Sequence, residues 1–278
     1  MDEIQLIVNA DDLGNGQRRD RGIFRACTAG IVTSVSLLAN GPTFVAAARE
    51  SLTLGLPLGV HLNLSEGRAL GGAIAGLTDA AGNFPGKQML RRRLASGDFD
   101  RAAVRHELLS QIARVRDAGL HPDHLDTHQH CFLCPALTGI IVAVARETAI
   151  TALRLPVPAE PVETDPDGQL GADLASYRRL AAGLAALRRE PDLYFPDGLW
   201  GMPLLNRLTA QRLETLLTQL PGGTWELMTH PGYRADDEPF SGPARERELA
   251  ALTAPTIRAL IATRGIKLTT FGACRCTC

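Results

Sequence analysis

Two adjacent carboxylates directly follow the first apolar run of the chain. Residues 6–8 (Leu-Ile-Val) have the composition of a buried strand, and Asp11 and Asp12 come just before Gly14. Neighbouring side chains of an extended segment point to opposite sides, so the two carboxylates can serve different partners. One can bind a metal ion while the other takes up a proton. The structural alternative for this stretch is a strand end with solvated acids and a helix cap.

Imidazole and carboxylate groups recur at the ends of later apolar runs. His61 lies in GVHLNL, Arg154 in LRLP and His230 at the end of TWELMTH, and HLDTHQH carries a further set at two-residue steps: His124, Asp126, His128 and His130. That spacing places the set on one face if the segment is extended. Imidazole and carboxylate ligands suit a divalent transition metal with open coordination positions. A catalytic metal site is therefore favoured over a hydrogen-bonded core histidine at His61 and a solvated strand face at 124–130.

Composition excludes several classes of function. The chain has 278 residues, 45% of them hydrophobic, and a formal net charge of -1. This charge provides no field that would recruit nucleic acid or an anionic membrane. No apolar stretch of about 18 residues is present, so no membrane span is expected. The first residues lack the features of a signal peptide, and we expect a cytoplasmic protein without a nucleic-acid or membrane partner.

The six cysteines match no disulfide framework of the kind found in small secreted domains. Cys131 and Cys134 form a lone C-x-x-C pair, which lacks the second half of a structural zinc site, so packing is the expected role. The last three cysteines, Cys274, Cys276 and Cys278, are expected to lie in a frayed terminus.

Strand-like and helix-like segments alternate along the chain, which favours a parallel sheet surrounded by helices. Strands are predicted at 6–8, 33–39, 58–64, 124–130, 151–156, 224–230 and 266–271. Helices are predicted at 18–29, 43–50, 102–120, 137–147, 174–189, 210–219 and 245–263. About seven such units predict an α/β fold, a distorted (β/α) TIM-like barrel formed by one domain over residues 1–278. Two irregular excursions, at about 65–99 and 157–171, are expected to wall the substrate site.

Several motifs, taken in order, resemble those of the YdjC/ChbG-like carbohydrate deacetylase family. They are NADDLG (9–14), GIVTSVSLLANGP (30–42), LGVHLNLSEGRAL (58–70), LTDAAGNF (77–84), HLDTHQHCFLCP (124–135), LRLP (153–156) and ELMTHPGY (226–233). The chain departs from the family pattern at Leu13 and Phe132, where members often carry phenylalanine and histidine. Neither position is an assigned ligand, so the implied metal set is unaffected.

The resemblance implies a metal-dependent hydrolase that removes N-acetyl groups from acetylated amino sugars such as chitooligosaccharides. It implies one divalent ion, Mg or Zn, bound by Asp12, His61 and His128. It also implies Asp11 as the base, with Arg154 orienting it, and His230 is the candidate acid. Supporting or substrate-binding roles are expected for Arg154, Asp126, His130 and Glu226. Barrels of this kind often pair, so a homodimer is expected.

Two other functions compete with this one. A metal-dependent barrel hydrolase of another class, a phosphoesterase or cyclic amidase, often holds two metals, for which His124, Asp126 and His130 could supply ligands. A non-catalytic carbohydrate or metal binder is the other alternative. The presence of a full set of candidate residues argues against it, because a binder needs no base; they are Asp11, Asp12, His61, His128 and His230.

Overall fold

The computed structural model describes residues 3–235, 237–238 and 240–275, and its described strands are all parallel. The strands are β1 (Ile4–Leu13), β2 (Ser34–Leu37), β3 (Leu58–Leu62), β4 (His124–Thr127), β5 (Ala152–Leu153), β6 (Gly198–Trp200), β7 (Gly223–Thr229) and β8 (Lys267–Thr269). The strand β1 is buried over most of its length, as a run of apolar residues in a sheet covered on both faces requires.

The strands form a curled sheet in the order β5-β4-β3-β2-β1-β7-β6, and β8 also pairs with β1. Two hydrogen bonds connect the ends of this path. Leu199 N, in β6, donates to Val157 O at 3.1 Å, and Ala159 N donates to Leu199 O at 2.9 Å. The chain that leaves β5 therefore meets β6. The prediction of a distorted TIM-like barrel is confirmed.

Helices surround this sheet. They are α1 (Gln17–Ala29), α2 (Phe44–Leu54), α3 (Lys87–Ser96), α4 (Arg101–Asp117), α5 (Pro135–Thr148), α6 (Gly168–Ala181), α7 (Ala210–Gln219), α8 (Pro243–Leu252), α9 (Pro255–Thr263) and α10 (Phe271–Arg275). Short 3₁₀ segments lie at His128–Leu133, Val162–Thr164, Ala182–Arg189 and Met202–Leu204. The α4 helix was predicted from apolar residues at helical spacing, and three of these, Val104, Leu108 and Ile112, are buried in the structure. The Asp100 side chain caps its first turn by accepting from the backbone N–H groups of Ala102 and Ala103.

The predicted extended segment at 124–130 is wrong beyond Thr127. The β4 strand ends there, and the chain turns through Gln129 and His130, which both have φ of 56°. His124 also lies away from the other polar groups of this segment. Its ring stacks on Phe271, with ring centroids 4.0 Å apart. The segment therefore does not present four polar side chains on one face.

Other corrections concern helices and short strands. The predicted helix at 245–263 is two helices, α8 and α9, because Pro255 has no backbone N–H and begins a new helix. The predicted helix at 174–189 is α6 followed by a 3₁₀ segment. The α3 helix lies inside the excursion at 65–99, and β6 was not predicted. The β6 strand has three residues, too few to show a period.

The described residues contain no helix with the length and apolar character needed to cross a bilayer. The four cysteines within the described residues are free thiols, and Cys131 and Cys274 are buried. The expectation of a frayed terminus is wrong for Cys274, which lies in α10. Cys276 and Cys278 lie outside the described residues. Packing is thus the role that the structure gives to Cys131, as expected from the sequence.

Candidate metal and catalytic site

The two adjacent aspartates lie in a bulge of β1. Ala10 pairs with Val35 and Leu13 with Leu37, so β1 has one more residue than β2 across this step. Asp12 lies in this extra stretch with φ of 68°, a left-handed conformation that is uncommon outside glycine. The two carboxylates are both buried and both reach the same cavity. Their different surroundings arise from this bulge as well as from strand alternation.

Asp12, His61 and His128 converge on one point. Asp12 Oδ1 lies 3.0 Å from His128 Nδ1 and 3.5 Å from His61 Nε2. The two imidazole nitrogens are themselves 3.2 Å apart. These atoms come from the ends of β1 and β3 and from the residue after β4. The three residues predicted as metal ligands are therefore neighbours in the fold, and their potential ligand atoms lie within 4.8 Å of one another.

The arrangement fits a divalent ion. Asp12 Oδ1 is buried without a well-formed hydrogen bond, although two nitrogens point toward it. The other ring nitrogen of His61, Nδ1, lies 2.7 Å from Asp126 Oδ2. A carboxylate on the far nitrogen is the usual way in which proteins fix the tautomer of a metal-binding histidine. Asp12 Oδ2 is turned toward Arg19 Nη1, at 3.4 Å, which leaves Oδ1 for an ion.

Charges in this cluster depend strongly on one another. Burial lowers the pKa of His61, but the carboxylates of Asp126 and Asp12 more than offset this and raise it to about 10. Burial raises the pKa of Asp12, and His128 and His61 outweigh it, so that the pKa lies well below its usual value. Without an ion, protonated His61 and His128 therefore carry the positive charge beside Asp12. A divalent ion would supply that charge instead and would require neutral imidazoles.

Asp11 is held by a different set of donors. Arg154 donates from Nη2 to Asp11 Oδ1 at 2.6 Å and from Nη1 to Oδ2 at 2.7 Å. Asn9 Nδ2 donates to Oδ1 at 2.8 Å. Oδ1 therefore has two donors and Oδ2 has one, and His230 Nε2 lies 3.8 Å from Oδ2. The less occupied oxygen, Oδ2, is the one that faces His230.

Arg154 binds three carboxylates that come from three strands. Besides Asp11, its Nη1 lies 2.7 Å from Asp126 Oδ2, and its Nη2 lies 2.6 Å from Glu226 Oε1. All four side chains are at most 3% exposed. Burial lowers the pKa of a guanidinium, but these carboxylates raise the pKa of Arg154 well above its usual value. Burial raises the pKa of Glu226, and Arg154 limits that rise.

Replacing Arg154 with alanine is expected to lower the free energy of unfolding by about 3–5 kcal/mol, because three buried carboxylates lose their common cation. The carboxylates left behind will have raised pKa values in the folded protein, so the folded state binds the extra protons. Stability of the variant should therefore fall as pH rises, and the loss should be larger at pH 8 than at pH 5. Urea unfolding at both pH values measures it. Arg146→Ala is the control, because Arg146 binds Glu190 and Asp192 at an exposed site and should matter little. A small loss at Arg154, or one independent of pH, would contradict this account.

His230 closes the other side of the cavity. Its backbone N–H donates to Glu248 Oε1 at 2.8 Å, and Arg245 Nη1 donates to its carbonyl at 3.1 Å. These bonds fix the backbone at the end of β7. Burial, only partly offset by Asp11 and Asp12, lowers the pKa of His230 to about 4. The ring is therefore neutral at pH 7 before any substrate binds.

A cavity of about 300 Å³ lies above these groups and is lined by Asp11, Asp12, His61, His128 and His230, among others. Both irregular excursions contribute to its wall, the first with Glu66 and Lys87 and the second with Leu170. The volume is at the lower end of the range for small-ligand sites. Not every part of the first excursion lines the cavity. Gly71 lies outside the cavity wall and donates its N–H to Glu107 Oε2 at 2.6 Å.

The structure separates the predicted site residues into those at the cavity and those behind it. His130 reaches the cavity wall, but it belongs to neither of the described clusters that could hold an ion. Asp126 and Glu226 lie behind the cavity, on Arg154 and His61. The ligand set His124, Asp126 and His130, considered for a second metal, is not brought together among the described residues.

Sequence reasoning missed Arg19 and Asn9. Arg19 is 1% exposed and lies against Asp12, and Asn9 donates to Asp11 and, at 2.7 Å, to Ser36 Oγ. Asn9 precedes the aspartates by two residues and so shares a strand face with Asp11, a signal that could have identified it. Arg19 lies in a helix beside other arginines, and nothing in its sequence context distinguishes it from them.

Comparison with known proteins gives one family over nearly the whole chain. A family model described as YdjC-like protein matches residues 5–263. A carbohydrate deacetylase of Mus musculus is 34% identical, covering 95% of this chain and 93% of its own. A chitooligosaccharide deacetylase of Yersinia pestis is 32% identical, covering 97% of this chain and 98% of its own. The crystal structure of a proposed cellobiose-phosphate cleavage protein from Enterococcus faecalis has the same fold, with a TM-score of 0.76 and 23% identity over 98% of this chain and 99% of that one.

Proposed function

This chain belongs to the YdjC-like protein family, and we propose that it is a carbohydrate deacetylase that removes the N-acetyl group from acetylated amino sugars. One observation carries the proposal beyond the family. Two adjacent aspartates reach one cavity, but one lies with two histidines and the other with an arginine and a third histidine. Amide hydrolysis needs both sets, because water is a weak nucleophile and an amine is a poor leaving group.

We assign the binding of one divalent ion to Asp12, His61 and His128. An ion held there would lower the pKa of a water molecule and polarise the acetyl carbonyl. One carboxylate and two imidazoles suit Zn, whereas Mg would keep several waters in its shell. Asp126 would keep the Nε2 atom of His61 available as a ligand, and Arg19 would hold the other oxygen of Asp12 away from it.

Asp11 is the proposed general base. Its Oδ2 atom accepts the proton of the attacking water, because Oδ1 already has two donors. Arg154 donates to both oxygens of this carboxylate and fixes the direction of that lone pair. A base placed in this way beside the ion site removes the proton as the water attacks the acetyl carbon.

His230 is the proposed general acid for the departing amine. Because its ring is neutral at rest, it needs a proton during the reaction, and Asp11 Oδ2 lies 3.8 Å from Nε2. We infer that the proton taken by Asp11 passes to His230 and from there to the amine nitrogen as the C–N bond breaks. Both residues then return to their starting charge. Acetate and the free amino sugar are the products.

The proposed function is tested by acetate release. Purified protein supplied with Zn²⁺ or Mg²⁺ should release acetate from N-acetylglucosamine or diacetylchitobiose, and a chelator should abolish the release. Phosphate monoesters, phosphodiesters and cyclic amides serve as competing substrates. Hydrolysis of one of these, with no acetate from the sugars, would replace the deacetylase with a metal-dependent hydrolase of another class.

Replacing His230 with alanine should lower the rate of N-acetyl sugar hydrolysis by about 10²–10⁴-fold, the usual contribution of a general acid. An activated aryl acetate ester should be affected by less than about fivefold, since a good leaving group departs without a proton. Steady-state rates on both substrates, with bound metal measured for each protein, test this. Equal losses on both substrates with the ion still bound would contradict the acid role and indicate a structural histidine.

A further inference from the structure

A second, larger cavity opens beside the site. Its volume is about 630 Å³, and it shares Lys87, Gln129, His130 and Tyr177 with the first cavity, so the two cavities adjoin. It lies between α3, the start of α5 and α6. Its wall is largely aliphatic and includes Leu90, Leu94, Leu133, Pro135, Ala136 and Leu180.

The charged groups at this wall are already paired within the protein. Lys87 Nζ lies 2.9 Å from Asp173 Oδ2, and Arg91 Nη1 lies 2.7 Å from Asp173 Oδ1. Arg91 Nη2 donates to Tyr177 Oη at 2.5 Å. Arg101 Nη1 donates to the Ala136 carbonyl at 3.2 Å. A sugar ring has hydroxyl groups on every face and would meet few free partners here, whereas an apolar group would meet leucine and alanine side chains.

We propose that the substrate is an N-acetylated amino sugar carrying an apolar aglycone, and that this aglycone occupies the second cavity. The proposal rests on the proposed deacetylase function and extends it to a substrate class. In such a sugar the ring carbon that carries the acetamido group, C2, is bonded to the anomeric carbon, C1. A sugar with its acetamido group at Asp11 therefore has its anomeric substituent close by, and Gln129 and His130 directly follow His128 at the junction of the two cavities.

His130 marks the boundary between the polar and apolar parts. Its φ of 56° turns the ring toward Tyr177, with the ring centroids 5.3 Å apart. Its Nδ1 atom is buried and has no hydrogen-bond partner among the described residues. Because His130 lines both cavities, its ring can contact the sugar on one side and the apolar group on the other.

The test compares methyl and n-butyl β-glycosides of N-acetylglucosamine, with diacetylchitobiose as the competing occupant. The wild-type protein should show kcat/KM about 15- to 60-fold higher for the butyl than for the methyl glycoside, because burial of two or three additional CH₂ groups contributes roughly fourfold each. In Ser176→Phe and Ala136→Phe, which fill the second cavity from two helices, the butyl-to-methyl ratio should fall to about one. Ala175→Phe, at the exposed neighbour on α6 that lines neither cavity, should keep the wild-type ratio.

Several results would overturn the proposal. These are a ratio near one in the wild-type protein, a ratio that survives in both cavity variants when they melt like the wild type, and a kcat/KM for diacetylchitobiose above that for the butyl glycoside. If no glycoside releases acetate, the proposed deacetylase function fails separately. In that case calorimetry would measure the affinity for the same two glycosides, which bind without being hydrolysed. Tighter binding of the butyl glycoside would support the apolar subsite, and equal affinities would contradict it.

Discussion

Replacing Asp11 with asparagine should lower turnover of an N-acetylated sugar by about 10²–10⁴-fold while the protein still binds its divalent ion. The amide cannot take up the proton of the attacking water. The ion remains because Asp11 is not among the three residues assigned to it, and Asp12, His61 and His128 are unchanged. Rates with N-acetylglucosamine and metal content by elemental analysis, measured on the same preparation, give both results.

The matched control is the neighbouring residue. Asp12→Asn removes the same charge one position along β1 but should lose both the ion and the activity. Arg154 keeps Asp126 and Glu226 in the Asp11 variant, so the fold should be retained. A near-normal rate in Asp11→Asn would reduce Asp11 to an acid at a strand end. Loss of the ion in both variants would show that the two carboxylates do not have separate roles.

His61→Ala and His128→Ala should each lose most of the bound ion and about as much activity as removal of the metal by a chelator. Each variant leaves two protein ligands where three are assigned, and structural or catalytic sites of this kind need at least three. The apparent Kd for Zn²⁺, measured by competition with a chromophoric chelator, should rise by at least about 10²-fold, since a change in even the outer shell of a metal site costs 10–100-fold.

The control for the histidine variants is His106→Ala. His106 is an exposed histidine on α4 outside both clusters that could hold an ion. Its replacement should leave Kd and rate unchanged. Full metal occupancy in both His61→Ala and His128→Ala would contradict the assignment of the ion to this cluster. It would direct attention to Asp11 and Asp126, which form the second described cluster with His61.

The elements that sequence reasoning identified are those with long periodic patterns. The α4 helix was found because its buried face repeats over several turns, and β1 because residues 6–8 form an apolar run. The β6 strand has three residues and β5 has two, so neither carries a period of its own. Pro255, which divides α8 from α9, was visible in the sequence, and its missing N–H could have been used to predict two helices.

For the site, residue type and strand position indicated a metal site at the strand ends, and the family resemblance implied Asp12, His61 and His128 as its ligands. The structure brings these three together. Two features could not be read from the sequence. One is the left-handed turn at Gln129 and His130, which ends β4 and separates His130 from the ligand set. The other is the burial of Arg19, since arginines on helices are mostly exposed and only tertiary packing places this one on Asp12.

The sharing of one guanidinium among three strands limits how this site can change in evolution. Asp11, Asp126 and Glu226 come from β1, β4 and β7, and each depends on Arg154 for its charge balance. A substitution that removes one acid changes the free-energy cost of burying the other two. The effects of single substitutions on the free energy of unfolding should therefore not add. In a descendant that no longer catalyses the reaction, replacing these residues one at a time would change the stability of the protein at each step. Epistasis among four positions should therefore preserve the appearance of an active site after the activity itself is lost.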